Sequence, residues 1–254
     1  MAAVRDIRLV DNDEQLAGAA AEWFIRSAAE THDRPFRVAL SGGSTPRALY
    51  RLLSGAECAS RVEWSRVAFY FGDERCVPPD HPESNFKLAH DTLFQPLGIK
   101  PAQIFRMEGE AGQPDLAARR YEETIRRQFA IPSPEWPSFD LILLGLGDDG
   151  HTASLFPGTP ALRETTRAVV ASDSPRGVVH RLTFTAPLIN HSQTIIFLVA
   201  GRQKAPAIHA VLEDDTADAD RYPAKLIRPL KGRLIWYLDR AAAAELTTTS
   251  IHSM

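Results

Sequence analysis

Short apolar runs rich in β-branched and aromatic residues recur along the chain, and stretches with apolar residues every three or four positions lie between them. The first run, 7–10, predicts a strand. A helix is predicted over 13–30, with Asp11 or Asn12 as cap and Leu16, Ala19, Ala20, Trp23 and Phe24 on one face. Residues 36–40 read as a buried strand, followed by a tight loop. Pro46 suits the first turn of a helix that turns Ala48, Leu49, Leu52 and Leu53 inward.

A third strand is predicted at 67–71, a polar loop at 72–82, and a helix capped by Ser84 running to about Phe94. Another helix follows at about 116–129. Three prolines within 131–138 exclude regular structure there. The unbroken apolar run 139–144 suits a strand covered on both faces. Further strands are expected at 168–170, 181–185, 194–199 and 234–238, and a helix at about 203–213. Strands alternating with helices predict one α/β domain over 1–246, with a mostly parallel sheet, and a frayed polar tail at 247–254. Ligands of such sheets bind at the carboxyl ends of strands, so the loops after residues 40, 71, 146 and 199 are the ones to read.

Composition narrows the class. In 254 residues, 44% are hydrophobic and 24% charged, which excludes disordered, collagenous and disulfide-scaffold chains. The formal net charge of −3 argues against a dedicated nucleic-acid binder or a membrane-surface protein, while leaving room for a small anionic ligand in a local cationic pocket. Two cysteines, Cys58 and Cys76, predict reduced thiols and a cytoplasmic setting. Residues 1–30 hold Arg5, Asp6, Asp11, Asp13 and Glu14 and no signal-peptide core, and no apolar run approaches the ~18 residues of a membrane helix.

Four loops carry the candidate chemistry. Ser41-Gly42-Gly43-Ser44-Thr45 sits between a strand and a helix start, where outward amides and the helix dipole suit a phosphate. A plain turn capped by Thr45 is the alternative. Gly72-Asp73-Glu74-Arg75 places three charges at a strand end. Asp73 or Glu74 suits proton or hydroxyl handling and Arg75 an anion or oxyanion, against a solvated loop with an internal ion pair. Gly145-Leu146-Gly147-Asp148-Asp149-Gly150-His151 spells a dinucleotide fingerprint, but its two aspartates stand where pyrophosphate needs neutral amides, and Pro157, Gly158 and Pro160 break the helix that should follow. What remains is an acidic turn ending in His151, a base for water, with Asp149 two residues away to fix its tautomer. Lys204 opens a helix after strand 194–199, opposing the dipole unless an anion is shared. Arg181 is a further cation at a strand start, equally readable as a surface ion pair. No zinc spacing, Cys-x-x-Cys or Gly-x-Ser-x-Gly motif is present.

Taken together, five motifs in order resemble the glucosamine-6-phosphate isomerase/6-phosphogluconolactonase family, on its lactonase side. They are Leu40-Ser41-Gly42-Gly43-Ser44-Thr45-Pro46, Gly72-Asp73-Glu74-Arg75-Cys76-Val77-Pro78, Ser84-Asn85-Phe86, the segment from Gly147 through His151 to Pro157, and Gly201-Arg202-Gln203-Lys204-Ala205. Tyr222-Pro223-Ala224-Lys225 also fits. The resemblance implies a Rossmann-like three-layer α/β/α fold without a nucleotide or other cofactor, and hydrolysis of 6-phosphogluconolactone in the oxidative pentose phosphate route. It implies His151 as general base, Arg75 near the lactone, residues 41–45 and Lys204 at the phosphate, and Arg181 as a typical site residue. The related deaminases carry tyrosine at the Arg75 position and a glutamate at the Phe156 position, so this chain departs from them at both.

Overall fold

The computed structural model describes residues 5–247 and 252–253. Helix α1 (Asp13–Glu30) starts where Asn12 accepts a hydrogen bond from the Gln15 amide at 2.9 Å, with Asp13 and Glu14 placed favourably in the first turn. It follows β1 (Arg5–Val10) and buries Leu16, Trp23 and Phe24, while Ala19 is only partly covered. β2 (Phe36–Leu40) leads into α2 (Ser44–Ser54), which buries Pro46, Leu49, Tyr50 and Leu53. Leu52, expected inward, is 39% exposed. It precedes Leu53 by one residue and so points about 100° further round the helix.

Strands β3 (Val67–Phe71), β5 (Leu141–Leu144), β8 (Thr194–Val199) and β9 (Arg233–Asp239) complete the predicted series. With β1, β2 and the short β10 (His252–Ser253) they form a 7-stranded parallel sheet in the order β10-β1-β9-β8-β5-β2-β3. Helices flank the sheet, and the chain also carries α4 (Pro114–Phe129) and α5 (Ala205–Leu212). The sheet is buried throughout its centre, as its unbroken apolar runs require. Thr247 is tied to Glu213 through its amide and hydroxyl, and the other residues of the expected frayed tail, 248–251 and 254, lie outside the described residues.

A second, antiparallel sheet was not foreseen. It comprises β4 (Asp73–Arg75), β7 (His180–Phe184) and β6 (Val169–Asp173), in the order β4-β7-β6. β4 lies inside the segment expected to be a loop, because a three-residue strand made of charged residues carries no hydrophobic alternation. Ser84 does cap a helix, α3 (Asn85–Ala89), by accepting from the Lys87 amide. The chain then widens through one broad turn at His90–Phe94 before ending at Gln95–Leu97.

The order of the large sheet fixes where a ligand fits. The chain runs outward from β2 to β3, then returns to the other side of β2 with β5, so the winding reverses between β2 and β5. A crevice opens beyond the carboxyl ends of strands at such a point.

Candidate active site

The loops after β2, β3, β5 and β8 do converge there. Two cavities of about 360 and 230 Å³ meet along a common wall of Asp73, Arg75, Asp148, His151 and Ala153. The smaller is also lined by Ser41, Gly42, Gly43, Asn85 and Lys204; the larger by Phe156, Arg176 and Arg181. Sequence reading grouped Arg181 with the phosphate residues, and the fold sets it in the other cavity from Lys204. Ser44 and Thr45 form the first turn of α2 rather than cavity wall.

His151 ends a tight turn. The Gly147 amide donates to the His151 carbonyl at 2.8 Å, and the Gly150 amide to the Gly147 carbonyl at 3.0 Å. This closes the imidazole onto Asp149, with Nδ1 and Oδ1 2.6 Å apart and the His151 amide donating to the same oxygen at 3.1 Å. A Cβ at Gly147 would fall on the His151 ring, so the turn needs glycine there. Partial burial pushes the Asp149 carboxyl up, but the His151 side-chain and backbone bonds outweigh it and hold the group at about 2. Phe156 packs its ring 4.6 Å from the imidazole, an apolar backing.

The carboxylates around the site each have a partner. Asp148 accepts from Lys204 Nζ at 2.7 Å, which lowers its pKa. Asp73 is buried; its Oδ2 accepts from Ser154 Oγ at 2.7 Å and its Oδ1 from Asn85 Nδ2 at 3.2 Å. Glu74 is buried as well and accepts from the amides of Arg75, Asn85 and Phe86 at 2.7, 2.8 and 2.8 Å and from Ser84 Oγ at 3.0 Å. Of the two carboxylates in this loop, Glu74 is therefore a brace for α3, and Asp73 is the one on the cavity wall.

The cations are less satisfied. Arg75 and Arg181 stand directly opposite in the β4–β7 register. Arg181 is 7% exposed and among the described residues its side chain bonds only the Val178 carbonyl, at 2.9 Å, so it is not the surface ion pair its sequence allowed. Burial, and then the charge of Arg75, lower its pKa. Arg75 donates to the Glu83 carbonyl, and its Nε is buried without a partner among the described residues. At the smaller cavity the Ser41 hydroxyl is likewise buried and unpartnered among the described residues, and Gly43 (φ 108°) is the N-cap of α2, which has no side-chain cap, so Thr45 is not the cap of a plain turn. A Cβ at Gly42 would strike the Asn85 amide, which needs that space to reach Asp73.

Sequence reading missed Ser154, Asn85 and Arg176. Asn85 and Ser154 stood in quoted motifs without a role. Arg176 gave no signal, since its place depends on the turn of the unforeseen second sheet.

Fold and site together define an α/β protein with a cation-lined crevice beside a carboxylate-bound histidine. A sequence model of the glucosamine-6-phosphate isomerases/6-phosphogluconolactonase family matches residues 11–236, and the chain belongs to this family. It is 42% identical to the 6-phosphogluconolactonase of Synechocystis sp. over 209 residues, covering 82% of this chain and 84% of that one. It is 37% identical to the human 6-phosphogluconolactonase over 246 residues, covering 95% and 93%. Among solved structures, 6-phosphogluconolactonase from Trypanosoma cruzi superposes with a TM-score of 0.85 at 30% identity, over 97% of this chain and 98% of that one.

Proposed function

We propose that this chain hydrolyses 6-phosphogluconolactone to 6-phosphogluconate, with His151 as the general base that activates water. The observation that carries the reading is the 2.6 Å His151–Asp149 pair on the wall between two cavities rich in anion-binding groups. A lactone is an activated ester, so water attacks its carbonyl without a covalent enzyme intermediate. Asp149 holds the proton on Nδ1 and leaves Nε2 to take one from water. It also stabilises the imidazolium that forms. Arg75 stabilises the oxyanion. The phosphate sits in the smaller cavity, on the Ser41 hydroxyl, the backbone of Gly42 and Gly43, the first-turn amides of Ser44 and Thr45, and Lys204. That remote binding positions the carbonyl against His151. Asp73 accepts from a sugar hydroxyl, and Arg181 attracts the anion from the larger cavity.

Two free cysteines, Cys58 and Cys76, fit a reducing compartment and hence the cytoplasm, where the oxidative pentose phosphate route supplies such a lactone. Among the described residues no helix is long and apolar enough to cross a membrane. A deaminase reading is disfavoured by Phe156, which packs beside His151 and stands at the sequence position where the resemblance gives the related deaminases a glutamate.

The test is lactone hydrolysis by the purified protein, with lactone made in situ by oxidation of glucose 6-phosphate and product coupled to 6-phosphogluconate dehydrogenase. The wild type is expected to exceed the spontaneous rate, and His151→Ala to lose about 10²–10⁴-fold in kcat. Near-wild-type turnover in the variant would overturn the assignment of the base. No acceleration by the wild type would overturn the lactonase.

A further inference from the structure

We infer that the arginine wall of the larger cavity, Arg75, Arg181 and Arg176, is a seat for the carboxylate that hydrolysis creates, so that the site grips its product by a charge the substrate lacks. The inference rests on the lactonase reading and assigns a role to Arg176, on the turn between β6 and β7.

Every carboxylate on the two cavity walls is already engaged: Asp149 with His151, Asp148 with Lys204, and Asp73 with Ser154 and Asn85. The arginines are not. Among the described residues the Arg75 and Arg181 guanidinium groups bond backbone carbonyls only, and they face each other across a strand pair, an arrangement of like charges that an anion between them would relieve. The Arg176 guanidinium has no hydrogen bond or ion pair among the described residues, although its backbone is pinned to the Ser174 hydroxyl. Three positive groups thus line one cavity whose carboxylates, Asp73, Asp148 and Asp149, are each hydrogen-bonded to other side chains.

The reaction supplies the missing charge. The water oxygen bonds to the carbonyl carbon, the ring C–O bond breaks, and the ring oxygen leaves as a hydroxyl with the proton that His151 took. The carboxylic acid so formed releases its own proton and becomes an anion. The reacting end is therefore neutral in the lactone and negative in the product. The phosphate, placed in the smaller cavity, is the same in both. Arg176 and Arg181 line the larger cavity and not the smaller, with Arg75 on the wall between, so they are placed to receive the new charge.

Calorimetric titration of the intact protein with two phosphate esters tests this. 6-Phosphogluconate carries the carboxylate, and glucitol 6-phosphate has a hydroxyl in its place. Wild type should bind 6-phosphogluconate more tightly. Arg176→Ala should weaken 6-phosphogluconate about tenfold, as a lost charge-assisted bond predicts, and leave glucitol 6-phosphate within about twofold. Arg176→Lys should recover part of the loss, and the Ki of 6-phosphogluconate against hydrolysis should move in step with its Kd. Equal weakening of both esters would overturn the inference, because the wall would then hold the phosphate. No change in either would overturn it as well, by removing Arg176 from the site. Wild-type hydrolysis, measured on the same preparation, separates these results from a failure of the lactonase reading, since the titrations require no turnover.

Discussion

Asp149 is the residue whose protonation state the proposed chemistry depends on most. Its carboxyl is held at about 2 against an ordinary 3.8, because bonds from His151 outweigh the burial that opposes them. A carboxyl depressed in the fold adds stability that is fully present above 3.8 and fades as pH falls toward 2. The stability gap between wild type and Asp149→Asn in urea titrations should therefore hold at neutral pH and close over that acid window. Above that window Asp149 remains ionised and stays in place to orient the imidazole. Asp149→Asn should lower kcat on the order of 10²–10⁴-fold, because an amide no longer fixes the tautomer. This pair was legible in the sequence, since two residues of separation inside a glycine-flexed turn leave the two side chains few other neighbours. The role of Asp73 was only half legible: its charge was visible, but not that Ser154, 81 positions away, binds it.

At the scale of elements, the segment from Asp73 to α3 shows what the chain pattern hides. Hydrophobic periodicity located the parallel strands because each is buried on both faces and reads as an apolar run. β4 is held by other means. Its Glu74 carboxylate gathers three backbone amides and the Ser84 hydroxyl, and so fastens the start of α3 to the strand. Burial pushes the Glu74 carboxyl up, while those amides pull the other way by favouring its charge. Removing it leaves buried donors without partners, each worth about 1–3 kcal/mol. Glu74→Ala should accordingly destabilise the protein by about 2–4 kcal/mol in urea unfolding, a loss larger than a solvated loop carboxylate could give. Because Arg75 and Asn85 flank this brace on the cavity wall, kcat/KM should fall with it.

Across the whole molecule, the site is a joint between two sheets. The parallel sheet brings the 41–43 loop, His151 and Lys204 to its carboxyl edge, and the antiparallel sheet contributes Asp73, Arg75 and Arg181. Alternating strands and helices in the sequence announced the first sheet and the crevice at its winding reversal. They said nothing of the second, because strand polarity and a three-residue strand leave no periodic trace. The two are joined at Ser154, three residues beyond His151. Its amide donates to Thr183 Oγ1 at 3.1 Å and its hydroxyl to Asp73 Oδ2 at 2.7 Å, and Asp73 and Thr183 are themselves paired across β4 and β7. Ser154→Ala leaves the fold its apolar core but frees one oxygen of a buried carboxylate that lies beside two arginines. The freed carboxylate would turn to Arg75 or Arg181 and neutralise the wall that faces the substrate. The expected cost is about 1–2 kcal/mol of stability together with a roughly tenfold rise in KM for the lactone. The two effects separate by salt. Pairing between Asp73 and the arginines weakens as ionic strength rises, so the KM ratio of variant to wild type should shrink between low and high salt, whereas a packing defect alone would leave that ratio fixed.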